Sequence, residues 1–143
     1  MEIFIKKIHP DAIVPDYAHE GDAGFDLHVV EETVVAPGSV SILPTGLAVA
    51  LPLGYELQIR LRSGAALRTP LIIPNAPATV DAGYRGELGI IVRNVGDEPY
   101  TVEKGERLAQ GVMAQVRRAR FREVDTLPPS ERGEKGYGSS GKN

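Results

Sequence analysis

Short runs in which apolar and polar residues alternate, separated by proline and glycine, make up most of the chain. The clearest run is residues 55–62, in which Tyr, Leu, Ile and Leu alternate with Glu, Gln, Arg and Arg. A period of two is typical of a half-buried β-strand. Comparable runs predict further strands, with breaks at Pro37-Gly38 and Pro44. These strands fall within residues 2–8, 21–30, 33–35, 40–50, 88–94, 100–102 and 104–113, the last range beginning with a turn.

The spacing of these runs predicts an all-β domain. The 11 prolines and 16 glycines are distributed along the 143 residues rather than gathered in a linker. A chain of this length fits one domain and buries roughly 68–70% of its unfolded surface. One short helix is predicted, at residues 65–68. We expect residues 1–127 to form the folded domain and residues 128–143, which lack an apolar period, to form a flexible Gly/Ser-rich terminus.

Composition excludes several classes of protein. Because there is no cysteine, disulfides and thiolate metal sites are ruled out. The net charge of −3 argues against a general nucleic-acid-binding protein, since phosphate backbones require a basic surface. The longest apolar runs are too short to cross a bilayer, and the first residues lack the order of a signal peptide. We therefore expect a cytoplasmic protein that binds neither nucleic acid nor membrane.

The stretch from Asn75 to Glu87 combines an amide, a carboxylate, an aromatic ring and a cation, with little helix potential. A proline and a glycine bracket its β-prone residues, which predicts a hairpin. The bare backbone groups of a hairpin, together with Asn75, suit the hydrogen-bonding edge of a small planar ligand. Asp81 and Tyr84 would then form opposite walls of a pocket. The alternative is a surface turn in which Asp81 caps its own backbone.

Three other segments carry candidate binding groups. Asp22 and Asp26 lie on either side of Gly24, where they suit a hard cation held through water, or simple turn capping. At the end of the clearest strand, the run Arg62-Ser63-Gly64 suits phosphate oxygens, or forms only a polar turn. Gln110 lies inside an apolar strand and needs a partner, which is either the backbone or a ligand.

The C-terminal residues 132–141 contain four glycines and one aromatic ring, Tyr137, among serine and charged residues. A segment of this composition cannot fold alone. It suits closure over a phosphorylated planar ligand, because it offers backbone and hydroxyl donors for phosphate and a ring for stacking.

Five segments, taken in order, resemble the five motifs of the trimeric dUTP diphosphatase (dUTPase) family. Any one of these motifs is weakly specific, whereas five in order at family-like spacing are highly specific. The resemblance covers residues 22–141. The segments are AGFDL at 23–27, RSG at 62–64, VDAGYRG at 80–86, GERLAQ at 105–110 and RGEKGYGSSG at 132–141.

The resemblance implies Mg²⁺-dependent hydrolysis of dUTP to dUMP and diphosphate, which lowers dUTP and supplies dUMP for thymidylate synthesis. It also implies a distorted jelly-roll or β-barrel of the β-clip type, with a flexible C-terminal arm as a lid. The expected assembly is a homotrimer whose active sites lie at subunit boundaries and are shared between subunits.

The resemblance assigns roles by position. Asp81 would activate the water that attacks the α-phosphorus, and Asp26 would reach Mg²⁺ through a water, the ion being held mainly by the triphosphate. Tyr84 would stack under the deoxyribose and exclude a 2′-hydroxyl. The residues implied to bind uracil and deoxyribose are Asn75, Thr79, Val80, Tyr84 and Tyr137. Those implied to hold phosphates are Arg62, Ser63, Gly64, Gln110, Arg132, Ser139 and Ser140, and the lid consists of Arg132, Tyr137, Ser139 and Ser140.

Three residues depart from the family pattern. Lys135 stands where the tail motif usually has glycine, Tyr137 replaces the commoner Phe or His, and Ala65 follows Arg-Ser-Gly where Leu is usual. None of these changes removes a proposed catalytic group. Lys135 adds a charge near the phosphates and stiffens the lid slightly.

Two alternative functions remain. The dCTP deaminase family resembles this chain around residues 81–86, but Ile91 occupies the position of its catalytic glutamate, and an aliphatic side chain cannot transfer protons. A non-catalytic nucleotide-binding jelly-roll protein would need the same barrel but no base. The presence of Asp81 together with the phosphate-binding residues argues against this second alternative.

Overall fold

Ten strands and one helix form the regular structure of residues 1–141, which the computed structural model describes. The all-β fold class with one short helix is confirmed, although the helix begins two residues before its predicted start. The strands are β1 (Phe4–Lys7), β2 (Gly24–Leu27), β3 (Thr33–Val35), β4 (Val40–Ala50), β5 (Tyr55–Leu61), β6 (Leu71–Ile72), β7 (Ala78–Val80), β8 (Glu87–Asn94), β9 (Tyr100–Val102) and β10 (Ala109–Gln115), and the helix is α1 (Ser63–Arg68).

Two four-stranded antiparallel sheets enclose the core. Their strand orders are β1-β4-β8-β6 and β2-β10-β5-β7, and β3 and β9 form a separate pair. Both sheets contribute to one apolar cluster, in which Leu43 and Ile90 of the first sheet and Leu27 of the second are 0% exposed. Apolar burial of this kind is the main favourable term in folding. The jelly-roll-like architecture expected from the resemblance is therefore present.

The alternation in β5 correctly predicts the two faces of that strand. Leu57 and Ile59 are buried in the core, whereas the polar residues between them lie half-buried on the outer face. On that face Gln58 Nε2 donates to Glu56 Oε1 at 2.8 Å, and Arg60 donates to Gln58 Oε1. Because β5 pairs with β10 on one side and β7 on the other, it positions residues of three sequence motifs.

The predicted break at Pro44 is an irregularity within one continuous strand. β4 runs through Pro44, and its pairing with β8 shifts register between Pro44 and Ala48. In this interval Thr45 is fully buried and donates from Oγ1 to Leu88 O at 2.6 Å, and Gly46 has a φ of 67°. Proline is tolerated at a bulge, where the ladder does not need its missing N–H. The strand therefore bends here without ending.

The predicted hairpin over residues 75–87 is wrong in its pairing. β7 pairs with β5, with Val80 opposite Leu57, while β8 pairs with β4 and β6 in the other sheet. Between β7 and β8 the chain turns, and Tyr84 N donates to Asp81 O at 3.0 Å. The segment therefore crosses from one sheet to the other instead of folding back on itself.

After Gln115, residues 116–141 contain no strand or helix. Several large apolar side chains in this segment are exposed: Phe121 is 97%, Leu127 78% and Tyr137 112% accessible. The boundary at residue 127 stays a prediction, and residues 142 and 143 of the predicted lid lie outside the described residues. None of the helices within residues 1–141 is long and apolar enough to cross a membrane.

Candidate active site

A cleft of about 180 Å³ opens beside the turn between β7 and β8, and we call it the apolar cleft. Its volume is below the roughly 300–1,000 Å³ of drug-sized pockets, so it suits one ring system better than a whole nucleotide. The predicted residues that line it are Asn75, Thr79, Val80, Asp81 and Tyr84. Its aliphatic walls include Ile59, Ile73, Leu88 and Ile91.

The turn that carries Tyr84 is held by hydrogen bonds at both ends. Tyr84 Oη donates to Glu87 O at 3.0 Å. The Arg85 guanidinium donates to Ala82 O at 2.6 Å and to Tyr84 O at 2.8 Å. Glu87 Oε1 accepts from Gly46 N at 2.8 Å, which joins the start of β8 to the irregular part of β4. These bonds hold the half-exposed ring of Tyr84 against the turn.

A second cleft, of about 530 Å³, lies where β2, β5 and β10 meet, and we call it the polar cleft. In it Asp26 accepts from Arg62 Nε at 2.8 Å and from Arg107 Nη1 at 3.2 Å. Arg62 Nη1 also donates to Arg107 O at 3.1 Å. Because these side chains are partly exposed, their ion pairs add little stability. Their main effect is to hold two guanidinium groups together, and guanidinium groups suit phosphate oxygens.

Gln110 lines the polar cleft from β10, where it lies opposite Asp26 on β2. Its Nε2 donates to Leu61 O at 3.1 Å, so the backbone satisfies part of the amide. Its Oε1 fills the space beside Gly24, where a Cβ atom would lie only 2.3 Å away. A side chain at position 24 would therefore displace the Gln110 amide.

The imidazole of His28, two residues after Asp26, lies in surroundings that favour its neutral form. Burial lowers the pKa of its imidazole below the ordinary value, and the neighbouring Arg107 guanidinium lowers this pKa further. Its Nδ1 is buried and has no hydrogen-bond partner among residues 1–141. The positive charge in this region therefore comes from the arginines.

The two clefts lie towards opposite ends of β5. Because Val80 at the end of β7 lies opposite Leu57, Asp81 emerges near the start of β5. Arg62 directly follows the last residue of β5, five residues beyond Leu57, which is about 16 Å along a strand. One chain therefore groups four of the five predicted nucleoside-binding residues with Asp81, Tyr137 being the exception, and groups part of the phosphate-binding set elsewhere.

The other predicted residues are distributed as follows. Asp26, Arg62, Ser63 and Gln110 line the polar cleft, and Gly64 follows Ser63 in α1. The lid residues Arg132, Tyr137, Ser139 and Ser140 lie in the C-terminal segment, where Arg132 Nε donates to Lys135 O at 2.8 Å. Among the described residues, no hydrogen bond joins this segment to either cleft.

Three charged residues of the site were not predicted: Arg85, Glu87 and Arg107. Arg85 holds the turn, Glu87 anchors Tyr84, and Arg107 completes the pair of guanidinium groups on Asp26. Each lies in or beside a recognised motif, so their presence was visible in the sequence. Their partners were not, since Arg107 and Asp26 are 81 residues apart and meet only because β2 pairs with β10.

Residues 1–141 form no group of three or more His, Cys, Asp or Glu side chains that could hold a metal ion. Asp22 and Asp26 both line the polar cleft, however. Mg²⁺ keeps several of its waters and usually binds through one or two carboxylates together with substrate phosphates. The donor set therefore fits an ion carried by phosphates and does not fit a dedicated protein cage.

The sequence model of the dUTPase family matches residues 10–141. The chain belongs to the dUTPase family. It is 47% identical over 141 residues to the deoxyuridine 5′-triphosphate nucleotidohydrolase of Helicobacter pylori strain J99, covering 99% of this chain and 97% of the relative. It is 45% identical to the protein of the same name from a Picosynechococcus species, covering 99% of each. The resemblance inferred from the five motifs is confirmed.

Solved dUTPase structures share the fold. A dUTPase of Staphylococcus bacteriophage 80alpha with dUPNHPP matches with a TM-score of 0.92 and 32% identity, covering 99% of both chains. A mutant dUTPase from phage phi11 of S. aureus, described for its coordination of a structural Mg(II) ion, matches with a TM-score of 0.82 and 25% identity. That match covers 89% of this chain and 99% of the phage chain. The jelly-roll-like β fold is thus common to the dUTPase family and this chain.

Proposed function

We propose that the chain hydrolyses dUTP to dUMP and diphosphate in the cytoplasm. The observation that carries this proposal is the apolar cleft, where a carboxylate, an aromatic ring and an amide converge between aliphatic walls. The 47% identity to a nucleotidohydrolase named for deoxyuridine 5′-triphosphate supports the same substrate. The reaction would lower dUTP and supply dUMP for thymidylate synthesis.

Asp81 is the proposed base. Two carboxylates line the apolar cleft, and Glu87 is already engaged by Gly46 N. The Asp81 carboxylate forms no hydrogen bond with the other described residues, which leaves it available for a water. Asp81 would accept a proton as the water oxygen forms a bond to the α-phosphorus. The bond from that phosphorus to the bridging oxygen breaks, and diphosphate leaves with the electron pair.

The apolar cleft would hold the nucleoside. Its small volume suits a pyrimidine ring, whose polar edge would meet the Asn75 amide and the backbone of Thr79 and Val80. The ring of Tyr84 would stack under the deoxyribose and would leave no room for a 2′-hydroxyl. Selectivity would thus arise from shape and from unpaired polar groups.

The polar cleft would hold the phosphates. Arg62 and Arg107 are already oriented by Asp26, so little side-chain entropy is lost when they bind phosphate oxygens. Ser63, the Gly64 N–H and Gln110 would add neutral donors. In the lid, Arg132, Ser139 and Ser140 would contact phosphates, and Tyr137 would cover the base. Closure of the lid would expel water and strengthen each of these contacts.

Mg²⁺ is the proposed cofactor. Bound mainly by the triphosphate, the ion would neutralise phosphate charge and orient the phosphate chain. Asp26 would reach it through a water, since an ionised carboxylate has about four lone-pair sites and only two are used by the arginines. Asp22, in the same cleft, is the other carboxylate that could hold the hydrated ion.

A homotrimer with shared active sites is the proposed assembly. Phosphates are joined directly to the nucleoside, yet Val80, the neighbour of Asp81, and Arg62 lie about 16 Å apart along β5. A second copy that places its polar cleft beside the apolar cleft would complete the site. The exposed Phe121 and Leu127, which have no core of their own, also favour contact with another subunit. Closed rings of identical subunits give each site the same composition.

Deamination is the less favoured alternative. In the dCTP deaminase family, which resembles this chain around residues 81–86, the catalytic glutamate occupies the position of Ile91. In this chain Ile91 lines the apolar cleft. An aliphatic side chain there cannot transfer a proton to a base. A non-catalytic nucleotide-binding role would not explain a carboxylate in the cleft at Asp81, which has no hydrogen-bond partner among the described residues.

The proposed activity predicts release of diphosphate from dUTP in the presence of Mg²⁺. We expect kcat/KM for dUTP to exceed the values for UTP and dTTP by at least tenfold, or about 1.4 kcal/mol, because the 2′-hydroxyl and the 5-methyl would meet the cleft walls. An assay of diphosphate release with the three nucleotides measures this preference. Equal kcat/KM for UTP would contradict the shape of the site, and ammonia release from dCTP would favour deamination.

Substitution of Gly24 by alanine is expected to raise KM for dUTP about three- to tenfold, roughly 0.7–1.4 kcal/mol, because its Cβ would displace the Gln110 amide. Gln110→Ala should have a similar effect. If Gly24 acts through Gln110, the double variant should be no worse than Gln110→Ala alone, since coupled sites are not additive. Fully additive losses in a steady-state assay would show that position 24 acts independently.

A further inference from the structure

The ring of Tyr84 folds over the backbone of Gly86. A Cβ atom at position 86 would lie 2.4 Å from Tyr84 Oη, 2.6 Å from Cζ and 3.0 Å from Cε2. Real Cβ atoms do not tolerate such contacts, so the ring occupies this place only because residue 86 has no side chain. The contact involves side-chain atoms of Tyr84 alone among the three nearest atoms. An added methyl group would therefore move the ring rather than the backbone.

The far end of the ring is anchored to the barrel. Tyr84 Oη donates to Glu87 O at 3.0 Å, and Glu87 is the first residue of β8. The Glu87 carboxylate accepts from Gly46 N in β4 at 2.8 Å. The hydrogen bond to the first residue of β8 thus determines how deeply the Tyr84 ring enters the apolar cleft. The rotamer preference of an exposed side chain does not determine it.

We propose that Gly86 is a specificity-determining position, which lets the hydroxyl end of the Tyr84 ring lie close to the turn, at the depth where the ring would exclude a 2′-hydroxyl. Gly86 is a positioning residue, since it touches Tyr84 and lines neither cleft. The inference rests on the proposed function, in which Tyr84 stacks under the sugar. It goes further, because it assigns the selectivity for deoxyribose to Tyr84 together with the absence of a side chain at Gly86.

The test compares two alanine substitutions in the same turn. Gly86→Ala introduces the contacts described above, whereas a Cβ at Gly83 meets no atom within 4 Å. Neither glycine has a positive φ, so alanine is compatible with the backbone at both positions. We expect Gly86→Ala to lower the ratio of kcat/KM for dUTP to that for UTP about three- to tenfold, and Gly83→Ala to leave the ratio unchanged.

Further variants separate positioning from general damage. A purely structural defect would lower kcat/KM for both nucleotides equally and leave their ratio unchanged, which would overturn the inference. Tyr84→Phe removes the bond to Glu87 O without adding an atom to the turn, and should lower the ratio by a smaller factor. It therefore tests the same anchoring if Gly86→Ala does not fold. An unchanged ratio in Tyr84→Phe would, in that case, also overturn the inference.

Tyr84→Ala distinguishes failure of this inference from failure of the proposed function. If Tyr84→Ala relaxes the sugar preference but Gly86→Ala does not, the inference is wrong and the role of Tyr84 stands. If Tyr84→Ala leaves the preference unchanged, the proposed role of Tyr84 is wrong, and with it the inference. The double variant Tyr84→Ala/Gly86→Ala should show the same ratio as Tyr84→Ala, because no ring remains to be displaced.

Discussion

Replacement of Asp81 by asparagine is expected to lower kcat for dUTP by about 10²–10⁴, equivalent to roughly 3–5 kcal/mol of transition-state stabilisation. Asparagine keeps the shape of the side chain and hence the walls of the apolar cleft, but its amide cannot take a proton from water. Binding of the nucleotide should therefore persist. Diphosphate release measures kcat, and calorimetry with a non-hydrolysable dUTP analogue measures binding.

A matched control for this variant is Asp97→Asn, which makes the same chemical change in an exposed bend that lines neither cleft. We expect Asp97→Asn to turn over dUTP at the wild-type rate. Near-normal turnover by a folded Asp81→Asn variant would remove Asp81 from the role of base. Loss of analogue binding by that variant would instead assign Asp81 to substrate binding.

Truncation after Glu131 is expected to lower kcat/KM for dUTP at least tenfold and up to about a thousandfold, or ~1.4–4 kcal/mol. The deletion removes Arg132 and Tyr137, and charge-assisted hydrogen bonds contribute roughly 1.5–3 kcal/mol and base stacking roughly 1–3 kcal/mol. The last strand ends at Gln115, so no strand is lost. Tm and oligomer size should therefore be unchanged, and Tyr137→Ala should have a smaller effect than truncation. Wild-type kcat/KM after truncation would show that the lid is not needed.

A mixing experiment tests whether base and lid come from different chains. Asp81→Asn subunits lack the base, and truncated subunits lack the lid. If each site is shared, some mixed trimers contain a complete site, and activity rises above that of both parents after subunit exchange. Verified mixed trimers without this gain would show that the base and the lid of one site belong to one chain.

Local sequence pattern predicts strands such as β5 and β8 because burial alternates along them. Leu57 and Ile59 of β5 are buried as the pattern requires. The same reasoning fails where tertiary pairing decides the outcome. Pro44 lies within a continuous strand because β8 accommodates a register shift there. The stretch after Asn75 crosses between sheets because β7 finds its partner in β5, which precedes it in the chain.

The candidate site was predicted as a set of residues but not as a geometry. Motif spacing indicated Asp26, Arg62 and Gln110, yet nothing local shows that Asp26 holds two arginines. Likewise, Gly24 is visible as a small residue, but the reason for its size is the Gln110 oxygen on a distant strand. Such relations depend on which strands pair, and strand pairing is set by the whole chain.

The separation of the two clefts along β5 has a consequence for dilute protein. In the proposed trimer, a folded chain alone is not an enzyme, because its base and its phosphate-binding arginines serve different sites. Mass action then makes specific activity depend on protein concentration. Below the dissociation constant of the assembly, turnover would vanish although each barrel kept its core. A fall in specific activity on dilution would then indicate dissociation of the subunits, under conditions in which each chain is still folded.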